Sequence, residues 1–126
     1  MNQVILVVDD EEDERDAMAR LLHRHHYAVE SAANGRDALD RLRQGASLPA
    51  LVLLDLNMPV MDGWEFAEHV GASADWADIP IVVITASTAI SRGPTQARAF
   101  LTKPVAFDRL IGVTTHCEAH RHPPVA

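Results

Sequence analysis

Four short apolar runs each stop abruptly at a polar residue, and this pattern constrains the fold more than any other feature of the chain. Val4 to Val8 is continuous, rich in β-branched residues, and ends at Asp9-Asp10. Ala50 to Leu54 stops at Asp55, Ile81 to Ile84 stops at Thr85, and Ala99 to Thr102 stops at Lys103-Pro104. Uninterrupted runs of this length read as strands buried on both faces, which is the habit of parallel sheets. Tyr27 to Ser31 alternates weakly and adds a second strand in chain order.

Between these runs the spacing is helical. Met18, Leu21, Leu22 and His25 recur on one face between about 12 and 25. After the turn signal Asn34-Gly35, Ala38, Leu39 and Leu42 predict a helix ending near Gly45. The loop 58–63 leads into a helix from Trp64 to about Val70, and Phe107, Leu110, Ile111 and Thr114 stripe a last one. Strands alternating with helices make βα units, so the fold class is α/β: a parallel sheet with helices on both faces. At 126 residues there is room for one such domain, read as residues 1–120 with a flexible tail over 121–126. No internal repeat or linker interrupts it.

Composition narrows the function. A formal charge of −7 disfavours nucleic acid, whose binding rests on cations that neutralise phosphates. It equally disfavours anionic membrane surfaces. One cysteine, Cys117, allows no intrachain disulfide, and the first apolar run is too short for a signal or a span. A cytoplasmic location is expected. The excess charge is also local. Residues 9–14 are six consecutive acids, and without them and Asp55 the remaining acids equal the eleven Lys and Arg.

Ligands of open parallel sheets sit outside the C-terminal ends of the strands. That edge here collects Asp9, Asp10, Asp55, Thr85 and Lys103, the chain's one lysine. Carboxylates brought together repel in a partly desolvated site, and a hard divalent cation such as Mg²⁺ relieves the repulsion. With a cation between Asp10 and Asp55, a carboxylate is left to act as a nucleophile that forms an acyl phosphate, and an ammonium to balance charge on the phosphoryl group. The plain alternative is that Asp9 and Asp10 merely cap a helix.

Four motifs in this order resemble the receiver domain of bacterial two-component response regulators. They are Val-Val-Asp-Asp at 7–10, Leu-Leu-Asp-Leu-Asn-Met-Pro-Val-Met-Asp-Gly at 53–63, Ile-Thr-Ala at 84–86 and Phe-Leu-Thr-Lys-Pro at 100–104. The resemblance covers residues 3 to about 119. It implies a doubly wound, five-stranded, flavodoxin-like sheet of order 2-1-3-4-5. It implies that Asp55 is the phosphoacceptor, and that Asp10, Asp55 and the main-chain carbonyl of Asn57 hold Mg²⁺, with Asp9 acting through a water. Lys103 would pair with the phosphoryl oxygens, Thr85 would bond them, and Phe100 would be the aromatic switch. Ala86 leaves the phosphate approachable, and the Lys103-Pro104 peptide is expected to be cis. The function implied is a stand-alone phosphoacceptor switch. A sensor histidine kinase or phosphotransfer protein would load it, and it would act on an unidentified downstream protein.

One departure stands out. Thr85 and Lys103 are eighteen positions apart, about one helical turn fewer than such a domain uses, and Gly93-Pro94 interrupts the stretch. A shortened fourth helix is therefore expected. Other readings are a phosphorelay intermediate, a receiver cut from a larger regulator, an aspartate-nucleophile phosphatase and a flavin-binding protein. The phosphatase lacks its acid, since position 57 is Asn, and six acids after the first strand would repel a flavin phosphate. His23, His25 and His26 read as a solvated helix end, as do His116, Cys117, His120 and His122 at the far end of the chain. Trp64 reads as a cover on the core.

Overall fold

Each of the continuous apolar runs becomes a strand in the computed structural model, which describes residues 4–44, 48–55, 63–85, 97–102 and 108–112. The order is β1 (Val4–Val8), α1 (Glu12–Arg24), β2 (Ala28–Ala32), α2 (Gly35–Gln44), β3 (Leu51–Asp55), α3 (Gly63–Ala72), β4 (Ile81–Thr85) and β5 (Ala97–Thr102). A further helical stretch covers 108–112. The strands form one parallel sheet of order β2-β1-β3-β4-β5. The expected strand order is therefore observed. The expected fourth helix falls outside the described residues.

Side-chain alternation divides the interior in two. Leu6 and Val8 of β1 face α2 and α3, joining Leu39, Leu42, Phe66, Val70 and Ile79. Ile5 and Val7 point the other way, toward Met18 and Leu22 of α1 and toward Leu110. The same split holds for β3, with Val52 and Leu54 on one side and Leu51 and Leu53 on the other. This is why these strands carry apolar residues at every position. β2, an edge strand, is only half-buried at Ala28, Val29 and Ser31, which explains its weak pattern.

The helix ends have local causes. Asn34 caps α2, its Oδ1 accepting the Asp37 N–H at 2.9 Å. α1 ends in a Schellman turn: His26 N–H donates to the His23 carbonyl at 3.1 Å, and Tyr27 N–H to the Leu22 carbonyl at 3.1 Å. That turn places His26 at φ 71°, a left-handed conformation glycine normally occupies. α3 runs two residues past Val70, through Gly71 to Ala72. The β4–β5 pairing carries one irregularity. Ile81 is opposite Ala97 but Val82 is opposite Ala99, so β5 holds one extra residue there.

Candidate functional site

The site begins where β1 and β3 end side by side. Val8 is registered opposite Leu54, so the next residues, Asp9 just beyond β1 and Asp55 at the end of β3, stand at the same level. One carboxylate oxygen each from Asp9, Asp10 and Asp55 lies within 4.8 Å of the others. Asp9 and Asp55 are buried, at 1% and 4% exposure, whereas Asp10 faces solvent.

Asp9 is held from several sides. Its N–H donates to the Ala32 carbonyl at 3.1 Å, extending the β1–β2 ladder by one step. Its Oδ1 accepts the Glu11 N–H at 2.9 Å, which closes a tight turn before α1. Its main-chain carbonyl accepts a hydrogen bond from Arg15 Nη1 at 2.8 Å. The capping alternative therefore takes a different form. Glu11, not Asp9 or Asp10, is the N-cap of α1, and it makes no side-chain capping bond. The acids of the helix's first turn, Glu12 to Glu14, are exposed and sit at the favourable end of its dipole.

Two of the three carboxylates are withdrawn from water, and burial of like charges at this separation is costly unless a cation or a proton compensates. An all-oxygen, all-carboxylate donor set with one member open to solvent suits a hard divalent ion that retains waters. The residues present thus fit Mg²⁺ by charge and by donor type.

The remaining expected residues divide by what the structure describes. Thr85 closes β4 and is registered opposite Thr102, the last residue of β5, so the chain reaches position 103 from the strand beside Thr85. Phe100 lies on β5 opposite Val83. Asn57, Ala86, Lys103 and Pro104 lie outside the described residues, as do His116, Cys117, His120 and His122 and the side chain of Trp64. His23, His25 and His26 are exposed, as a solvated helix end requires. The residue that sequence reasoning passed over is Arg15. Its one sequence signal is an arginine six positions after Asp9, early enough in α1 to reach back.

Comparison with known proteins agrees with this arrangement. A family model described as "Response regulator receiver domain" matches residues 5–115. The response regulator MprA of Mycolicibacterium vanbaalenii is 37% identical over 111 residues, covering 85% of this chain and 46% of that protein. The chain spans about half the length of the curated relatives it matches. Among solved structures, chemotaxis response regulator CheY4 of Vibrio cholerae is 28% identical with a TM-score of 0.80, over 93% of this chain and 99% of that one. Response regulator TrrA of Thermotoga maritima, in complex with Mg²⁺-BeF, is 29% identical with a TM-score of 0.81, over 91% and 98%.

Proposed function

The chain belongs to the response regulator receiver domain family, and from that premise we propose how its own residues divide the work. It is a phosphoacceptor switch of two-component signalling, not a turnover enzyme, and a histidine kinase is the partner that its family implies. In this reading Asp55 is the acceptor. One Asp55 carboxylate oxygen bonds to phosphorus as the bond from phosphorus to the donor's imidazole nitrogen breaks. The imidazole keeps that electron pair and takes up a proton.

The observation that carries the reading is the convergence of Asp9, Asp10 and Asp55 within 4.8 Å at the ends of adjacent strands. Burial of Asp55 strips water from its carboxylate, which favours attack on phosphorus over solvation. Asp10, Asp55 and the Asn57 carbonyl would hold Mg²⁺, with Asp9 reaching it through a water. When bound, Mg²⁺ would supply positive charge that offsets the carboxylates and the incoming phosphoryl group. The relative TrrA was solved with Mg²⁺, which supports the same ion here.

Lys103 pairs with the phosphoryl oxygens, and the Thr85 hydroxyl bonds them, drawing its loop inward. The Thr85–Thr102 pairing supports this, because it brings the β5 end to the level of Thr85. Phe100 follows that movement as the aromatic switch, Ala86 keeps the approach open, and Pro104 fixes the chain after the lysine. Phosphorylation thus biases a pre-existing two-state equilibrium. The phosphorylated domain signals by protein contact, in the cytoplasm, with neither nucleic acid nor membrane as its partner. Among the described residues no helix is long and apolar enough to cross a membrane.

The test is incubation with Mg²⁺ and acetyl phosphate followed by intact mass measurement. The wild type should gain one phosphoryl group and Asp55→Asn none. Equal labelling of the two proteins, or no labelling of the wild type, refutes the assignment. Multiple turnover on phosphate esters would point instead to a phosphatase.

A further inference from the structure

Arg15 is tied directly to the acidic site, and its bond there is to main chain. Its Nη1 donates to the carbonyl of Asp9 at 2.8 Å from a partly buried position. The same peptide segment is fixed by two more bonds, Asp9 N–H to Ala32 and Glu11 N–H to Asp9 Oδ1. The three bonds act on different atoms of one residue, its N–H, its carbonyl and its carboxylate. Together they set the direction in which the Asp9-Asp10 peptide presents two carboxylates toward Asp55. The strand supplies the first bond and the turn supplies the second. The third comes from α1, one turn after the Glu11 cap.

We propose that Arg15 is a positioning residue for the cation site: its guanidinium clamps the Asp9 carbonyl so that Asp9 and Asp10 are pre-set for Mg²⁺. This rests on the Mg²⁺ reading above. It makes a prediction whose sign runs against simple electrostatics. A guanidinium beside a cation site repels the cation, so a purely long-range role means that Mg²⁺ binds more tightly once the charge is removed. A clamp means the reverse, because groups that orient metal ligands typically contribute tenfold or more to affinity.

The experiment is Mg²⁺ titration of the full chain by calorimetry, with Arg15→Met and Arg15→Lys beside the wild type. Both replacements favour helix, so α1 retains its propensity. Arg15→Met should raise the Mg²⁺ Kd about tenfold, and Arg15→Lys, one atom shorter with the charge kept, should fall between. Without Mg²⁺, the Glu11 amide of Arg15→Met should exchange faster while the β3 amides keep wild-type rates. An Arg15→Met protein that binds Mg²⁺ as tightly as the wild type, or more tightly, overturns the inference and leaves the receiver reading standing. A wild type that binds no Mg²⁺ overturns the Mg²⁺ reading, and this inference with it.

Discussion

Replacing Asp9 with Asn should stabilise the cation-free protein and weaken its response to Mg²⁺. The exchange keeps the shape and leaves Oδ1 able to accept the Glu11 N–H. It removes one of three charges whose oxygens lie within 4.8 Å. At an effective dielectric of about 20, two full charges at that separation repel by roughly 3.5 kcal/mol. The Asp9–Asp55 pair is buried and feels most of this, whereas Asp10 is exposed and its share falls toward about 1 kcal/mol. Relaxation of the surrounding dipoles and water screens part of the repulsion in the wild type. A net gain of about 1–3 kcal/mol for Asp9→Asn follows, or about 4–10 °C in Tm for a 126-residue chain. Mg²⁺ acts unequally on the two proteins. At thirtyfold excess over its Kd it stabilises the wild type by about 2 kcal/mol and the variant far less. Thermal and urea unfolding in EDTA and in Mg²⁺ measure all four values. Loss of stability in EDTA for Asp9→Asn, or an equal Mg²⁺ response in both proteins, would refute the argument that these carboxylates are held together against their own repulsion.

Two further outcomes concern the helix ends. His26→Gly should stabilise the protein by about 0.5–1 kcal/mol. It relieves a left-handed backbone that costs an L residue about 1–2 kcal/mol, against the extra unfolded-state freedom of glycine; urea midpoints measure it. Asn34→Ala should cost about 1 kcal/mol by leaving the Asp37 N–H without its cap, with no change in labelling of Asp55 by acetyl phosphate.

Much of this was legible in the sequence because the buried strands announce themselves. β1, β3 and β4 need apolar residues on both faces, and few other elements produce a run such as Val4 to Val8. Their ends were legible for the same reason, since the first polar residue after each run marks the sheet's edge. β2 was read one residue early, at 27–31, because an edge strand half-buried on its faces imposes only a loose alternation. α3 extends beyond Val70 because Gly71 is tolerated inside the helix rather than ending it. The left-handed His26 carried no signal, since histidine at that point of a Schellman turn looks like any polar helix end. Arg15 was hidden for a different reason. Its partner is a main-chain carbonyl, and a carbonyl has no letter in the sequence.

The irregularity between Ile81 and Val82 bears on how the chain tolerates changes of length. β5 is in one reading frame at Ala97 and another from Ala99 onward, because Arg98 is an inserted step. Downstream of that step, Leu101 sits opposite Ile84 and Thr102 opposite Thr85. A residue gained or lost upstream can therefore be absorbed at the step, where no pair in the later frame is disturbed. Without such slack, a one-residue slip of β5 would move Thr102 along β4 by about 3.3 Å and turn Leu101 out of its cluster. The pairing of Leu101 and Thr102 with β4 is thereby insulated from a one-residue change at the start of β5.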